Sequence, residues 1–173
     1  MTSEAVSGVL DLRQVPICHP DAQLLVEAVQ QEYVARYGSR DESPIDHTEF
    51  LEPRGAFFVG YLDGEPVVSG AWRRRDDVEV VGTTATAEVK RMYVVPSARG
   101  LGVARRMLAH LEATAFANGA GAVILETGTM QPEAIALYES ADYEVVDGFG
   151  HYRDSPYNRC FAKACPADTP YAG

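Results

Sequence analysis

A chain of 173 residues has the length of one domain, which at this size buries about two-thirds of the surface its unfolded form exposes. The composition is globular, 46% hydrophobic and 23% charged, and no run of about 18 apolar residues occurs, so no membrane span is expected. A net charge of −10 repels phosphate backbones and disfavours nucleic acid, while mildly favouring cationic or amine-bearing partners.

Met1 to Leu12 carries Glu4 and Asp11 and lacks the basic region and apolar core of a signal peptide, so it is expected to be retained in a cytoplasmic protein. Cys18, Cys160 and Cys165 form no CxxC, and the four histidines are scattered. Ordinary reduced thiols and no metal site are expected.

Val9 to Val15 alternates apolar and polar residues, which predicts a first strand. His19-Pro20-Asp21 has the form of a helix start, and Leu24, Leu25, Ala28, Val29 and Tyr33 continue at helical spacing until Gly38. Ser39 to Gly55 is polar and predicts a long loop with at most a short helix. Ala56–Leu62 and Pro66–Arg73 flank Asp63-Gly64, the pattern of a hairpin closed by a type I′ turn. A polar connection, Arg74 to Thr86, leads to a strand over Ala87–Val95 that Pro96 ends.

Val103, Met107, Leu108, Leu111, Ala115 and Phe116 make one stripe of a helix over 102–118. A short apolar strand over Ala122–Leu125, a helix over Pro132–Ser140, and strands over Tyr143–Val146 and Arg159–Lys163 complete the chain, with 164–173 as a loose tail. This order predicts one α/β domain over 1–173, a mixed sheet of about six or seven strands with helices on both faces.

The segment richest in chemistry is Val94-Val95-Pro96-Ser97-Ala98-Arg99-Gly100-Leu101-Gly102-Val103-Ala104, a strand running through a glycine-containing turn into a helix. The first N–H groups of a helix have no internal partner and sit at the positive end of its dipole, so such a turn suits phosphate. The spacing alone leaves open a tight turn without a ligand. It also partly fits a dinucleotide site, with Glu126 near a ribose-binding position, although Arg105 stands where a third glycine belongs. The nucleoside triphosphate loop G-x-x-x-x-G-K-[ST] is absent.

Arg99-x-x-Gly102-x-Ala104 resembles the [QR]-x-x-G-x-[GA] motif of the GNAT superfamily of N-acetyltransferases, at the same strand-to-helix junction. Glu88-Val-Lys-Arg-Met-Tyr-Val-Val-Pro is similar to the strand that precedes that motif. Gln131-x-x-Ala134-x-x-Leu137-Tyr138-x-x-x-Asp142-Tyr143 resembles the downstream N-x-x-A-x-x-L-Y-x-x-x-G-[FY] motif. Gln131 replaces the usual Asn, and Asp142 the usual Gly; Asp tolerates left-handed backbone better than most residues, so the turn can survive.

The resemblance implies an acetyl-CoA-dependent acyltransferase in which an amine attacks the thioester directly, with no acyl-enzyme. The turn from Arg99 through Gly100, Leu101, Gly102, Val103, Ala104 and Arg105 would hold the pyrophosphate, with Arg99, Arg105 and Arg106 adding charge. Met92, Tyr93 and Val94 would pair with the pantetheine arm as an added strand does, and Gln131 would contact that arm. Tyr138 is implied as general acid. Glu88 is implied as general base, aligned with the glutamate of histone-acetylating members; His151 and Asp154 are alternatives.

The acceptor, expected to be a small-molecule amine, would lie among 39–55, 72–75 and 151–158. Trp72, Tyr152 and Tyr157 would wall it, and Arg73, Arg74 and Arg75 would face an acidic group on it. A non-catalytic acyl-CoA-binding module on the same fold is the competing reading. Relatives are often homodimers, though no sequence feature demands one.

Overall fold

The expected order of elements is present in a computed structural model, which describes residues 8–43 and 45–166. The greater part of the expected tail, 167–173, lies outside the described residues. Strand β1 (Asp11–Gln14) precedes helix α1 (Pro20–Tyr37), and a 3₁₀ turn (His47–Phe50) leads to β2 (Gly55–Leu62) and β3 (Glu65–Arg74). Then follow β4 (Thr86–Val94), a 3₁₀ turn (Pro96–Ala98), α2 (Val103–Ala117), β5 (Ala122–Gly128), α3 (Pro132–Ser140), β6 (Glu144–Val146) and β7 (Asn158–Ala164). The seven strands form one sheet in the order β1-β2-β3-β4-β5-β7-β6, in which only β4 and β5 run parallel.

Local chemistry explains the boundaries. The His19 Nδ1 accepts from the Asp21 N–H at 3.1 Å, Pro20 occupies the first turn of α1, and the Gly38 N–H closes the helix onto Val34 O. Asp63 and Gly64 both take positive φ, 50° and 80°, as the predicted hairpin turn requires. The polar segment 39–55 orders its 3₁₀ turn through a capping box, with Asp46 accepting from Thr48 N–H and Glu49 accepting from Asp46 N–H.

Helices cover both faces of the sheet. On one, Val103, Met107, Leu108, Leu111 and Ala115 of α2 pack with Phe58, Val68, Trp72, Leu125, Tyr138 and Phe161. Full burial of each of the three large aliphatic side chains of α2 contributes about 1.5–3 kcal/mol, and the predicted stripe of α2 is the buried one. On the other face, Ala22 and Leu25 of α1 pack with Phe50, Phe57, Val59, Tyr61 and Ala71. Here the stripe differs from expectation: Ala22, Leu25 and Val29 are buried while Leu24 is exposed, since its position faces away from the sheet. Among the described residues, no helix is long and apolar enough to cross a membrane.

Candidate active site

The cleft begins where two parallel strands part. β4 pairs with β5 only over Thr86–Glu88 and Ala122–Ile124. Past that point β4 carries a bulge: Ala71 faces Lys90 and Ser69 faces Tyr93, so Arg91 and Met92 together oppose Gly70. Arg91 sits at φ 57°, an uncommon conformation for a non-glycine residue, and its carbonyl accepts from Ser69 Oγ at 2.8 Å. A bulge bends its strand, and the ends of β4 and β5 diverge into an opening that α3 crosses.

Two cavities occupy the opening. One, of about 360 Å³, lies over the end of β4 and the start of α2 and is lined by Tyr93, Val94, Arg99, Gly100, Gly102, Val103, Ala104 and Arg105 among others. The other, of about 530 Å³, is lined by the C-terminal turn of α1, residues 39–41, 89–92, 125–128, and part of the 152–158 loop. They share Met92, Gln131, Ala134 and Tyr138.

The smaller cavity has the chemistry of a phosphate site. The N-cap of α2 is Gly102 at φ 76°, with no side-chain cap and no acidic residue in the first turn. Its leading N–H groups therefore lack a side-chain acceptor, and the helix dipole adds partial positive charge. A Cβ built at Gly100 or Gly102 meets nothing within 4 Å, so the space above the turn is open for a ligand. Arg99 Nε donates to Val94 O at 3.1 Å and its Nη2 pairs with Glu32 at 2.8 Å. Arg105 Nη2 donates to Ser140 Oγ at 2.6 Å, tying α2 to α3. Leu101 is half-exposed and lies off the cavity lining.

Tyr138 stands at the junction. Its ring lies 5.9 Å from Tyr143 and 5.8 Å from Phe161, and it is 7% exposed. Its hydroxyl has no hydrogen-bond partner among the described residues. Burial pushes its pKa up to about 12, so the phenol stays protonated through the physiological range. Gln131 Nε2 donates to Tyr37 Oη at 3.4 Å, and Asp142 holds φ 69°, the left-handed turn that its short side chain tolerates.

Glu88 is 2% exposed, off the lining of both cavities, and bound by Arg73 and Arg75 at 2.9 Å each. Arg73 also reaches Glu49, and Arg75 reaches Asp77. Arg74 bonds Asp76 and Asn118 O. The arginine run expected at the acceptor is thus spent on internal acids. Trp72 is likewise not a pocket wall: it faces α2 in the core, and its Nε1 donates to Thr114 Oγ1 at 3.0 Å. Tyr152 and Tyr157 do line the larger cavity, whereas His151 and Asp154 are exposed and lie off it.

Glu126 was not singled out as an acid–base group by the motifs, yet it lines the larger cavity. Its Oε1 is buried without a hydrogen-bond partner. Burial first, and then the negative charge of Glu88, raise its pKa above the ordinary 4.5. One signal was legible: a lone charge in the apolar run Ala122-Val-Ile-Leu-Glu126.

The model of the acetyltransferase (GNAT) family matches residues 23–143. An IAA acetyltransferase of Azospirillum brasilense is 32% identical over 132 residues, 76% of this chain and 82% of that protein. The uncharacterised N-acetyltransferase YjgM of Escherichia coli strain K12 is 31% identical over 98 residues, 57% of this chain and 56% of that protein. In fold, a solved structure assigned as an acyl-CoA N-acyltransferase, from Klebsiella pneumoniae subsp. pneumoniae MGH 78578, superimposes with TM-score 0.72 at 24% identity. It covers 90% of this chain and 97% of that one. The family model spans most of the chain and a relative at 32% identity agrees with it, over a fold whose parallel strand pair splays above an uncapped helix terminus: the chain belongs to the acetyltransferase (GNAT) family and is an acyltransferase.

Proposed function

We propose that the protein transfers an acetyl group from acetyl-CoA to the amine of a small molecule by direct attack. The observation that supports this most is the meeting of two cavities at Tyr138: one with the chemistry of a phosphate site, the other of about 530 Å³ and able to hold a small acceptor. The donor fits the first, whose open turn and uncapped N–H groups suit a pyrophosphate. When bound, it supplies the acetyl group as an activated thioester.

The chain's own residues would supply the rest. The N-terminus of α2 holds the phosphates, and the free edge of β4 at Met92, Tyr93 and Val94 lies along the pantetheine arm. Glu126, in place of Glu88, takes the proton from the ammonium, because it lines the cavity and its Oε1 has no hydrogen-bond partner among the described residues. The nitrogen–carbon bond forms and the carbon–sulfur bond breaks, Tyr138 gives its proton to the departing sulfur, and the second proton shed by the new amide nitrogen restores the phenol. Burial keeps the phenol protonated, so it holds a proton to give when the thiolate departs.

Thermal unfolding with and without acetyl-CoA, followed by thiol release with a panel of amines, tests this. A ligand at 100 times its dissociation constant adds about 2.7 kcal/mol, a midpoint shift of several degrees. Tyr138→Phe should keep the shift and lose thiol release by about 10²- to 10⁴-fold. No shift at millimolar acetyl-CoA would sink the donor assignment. A shift with no thiol release from any amine would favour a non-catalytic acyl-CoA-binding module.

A further inference from the structure

On the wall of the larger cavity two cations converge on one largely buried carboxylate. Lys90 and Arg91 are 11% and 6% exposed at the side chain, and both converge on one carboxylate, Asp41, at 3.3 and 2.7 Å. Two cations share one anion. Burial works to raise the Asp41 pKa, but Lys90, Ser43 and Arg91 together hold it well below the carboxylate range, so that anion is fully used. Its Oδ1 accepts from Ser43 N–H and Oγ at 2.9 and 2.6 Å.

The donors are not exhausted. Lys90 Nζ has three N–H groups and two acceptors, Asp41 Oδ2 and Ser43 Oγ. Arg91 donates through Nη1 alone; among the described residues Nε and Nη2 have no acceptor. Arg91 lines the cavity, so these donors are available to a group bound there. The two other arginines on the wall are already committed, Arg36 to Glu32 and Glu133 and Arg40 to Glu27. Lys90 and Asp41 act on Glu126 in opposite directions, which places this cluster near the Glu126 carboxylate.

We propose that the acceptor is an amino carboxylate of amino-acid size, its amine meeting Glu126 and its carboxylate taking the free donors of Arg91 and Lys90. The proposal rests on the acetyltransferase reading above. Charge supports it: Lys90, Arg91, Asp41 and ionised Glu126 sum to zero, which suits a zwitterion, whereas a simple ammonium leaves the site with one excess positive charge. A planar guanidinium matches a carboxylate in two-point geometry.

The test compares the common L-amino acids with their decarboxylated amines, phenylalanine with phenethylamine and tyrosine with tyramine among them, by thiol release from acetyl-CoA. In the best pair the carboxylate-bearing member should show kcat/KM higher by on the order of tenfold or more, as expected for a charge-assisted contact. Arg91→Lys should shrink that ratio. Lys90→Met, which spares the bulge, should shrink it too if Arg91→Lys fails to fold. Decarboxylated amines turned over equally or better would overturn the proposal and leave the acetyltransferase standing. No turnover of either member of any pair, with the acetyl-CoA thermal shift intact, would overturn it together with the small-molecule reading.

Discussion

The proposed donor side and the proposed acceptor side of the cleft share Met92, Gln131, Ala134 and Tyr138 but are built from different material. The donor side is largely one contiguous stretch of backbone, Met92 to Arg105, whose working parts are N–H groups and two left-handed glycines. The acceptor side is made of side chains from widely separated segments: Tyr33 and Arg36, Asp41, Lys90 and Arg91, Glu126, Tyr152 and Asn158. A site made of backbone is tolerant of side-chain change wherever the chain conformation survives. A site made of side chains depends on each one. Single substitutions should therefore hurt most on the acceptor side and fade toward the donor side.

Glu126→Gln should have the largest effect, a fall in kcat/KM of about 10²- to 10⁴-fold with the acetyl-CoA thermal shift retained. The sign of its pH dependence follows from the raised pKa. A base works only when ionised, so activity falls as pH drops through a value above the ordinary 4.5, and the glutamine variant loses this acid limb. For stability, a raised folded pKa means the folded state holds the proton more tightly. That contribution is complete below the unfolded value and is lost as pH rises through the folded one. An acid limb unchanged in the variant would remove Glu126 from the chemistry.

Glu88→Gln comes next, as a loss of stability. It leaves Arg73 and Arg75 without their shared buried carboxylate, a change that costs about 3 kcal/mol, at the low end for a broken buried pair because Glu49 and Asp77 remain. Denaturant unfolding measures it. A variant of native stability but hundredfold slower would restore Glu88 as the base that the motif resemblance implies.

The difference in material also decides what was legible beforehand. Pro20 and Gly38 bounding α1, Asp63-Gly64 in its turn, and the α2 stripe are local signals, each expressed within a few residues, and each appears in the fold. The donor turn is local too, because φ 81° at Gly100 and φ 76° at Gly102 demand glycine at fixed spacing. The pairing of Asp41 with Lys90 and Arg91 spans about fifty positions, and no pattern in either segment announces it. Arg73, Arg74 and Arg75 show the converse. A basic run suggested an anion site, but alternation along β3 and the turn beyond it sent Arg73 and Arg75 to the buried Glu88 and Arg74 to Asp76, acids of the protein itself. Trp72 was misplaced for the same reason, since its face of β3 is set by register against β2 and β4.

Gly102→Ala probes the backbone itself. No atom stands within 4 Å of the added Cβ, so the cost is the left-handed conformation alone, about 1–2 kcal/mol. Thermal unfolding without ligand should show that loss, and the acetyl-CoA shift should shrink as the turn relaxes. An unaltered midpoint and an unaltered shift would mean that φ 76° is not needed at the N-cap.

Arg99→Ala should do least, although Arg99 opens the motif by which the donor site is recognised. Its side chain is 41% exposed, its pairing with Glu32 is a surface one, and its stacking on Tyr93 is loose at 5.8 Å. Exposed pairs of this kind contribute about 0–1 kcal/mol. The bond from Nε to Val94 O braces the end of β4 against the turn, but the N–H groups that would face the phosphates belong to α2 and survive the substitution. The expected result is a rise of a few-fold in KM for acetyl-CoA, unchanged kcat and an unfolding midpoint within a degree or two. Should Arg99→Ala instead abolish acetyl-CoA binding while Gly102→Ala is tolerated, the donor site would depend on one guanidinium, and the contrast between a backbone site and a side-chain site would fail at its strongest point.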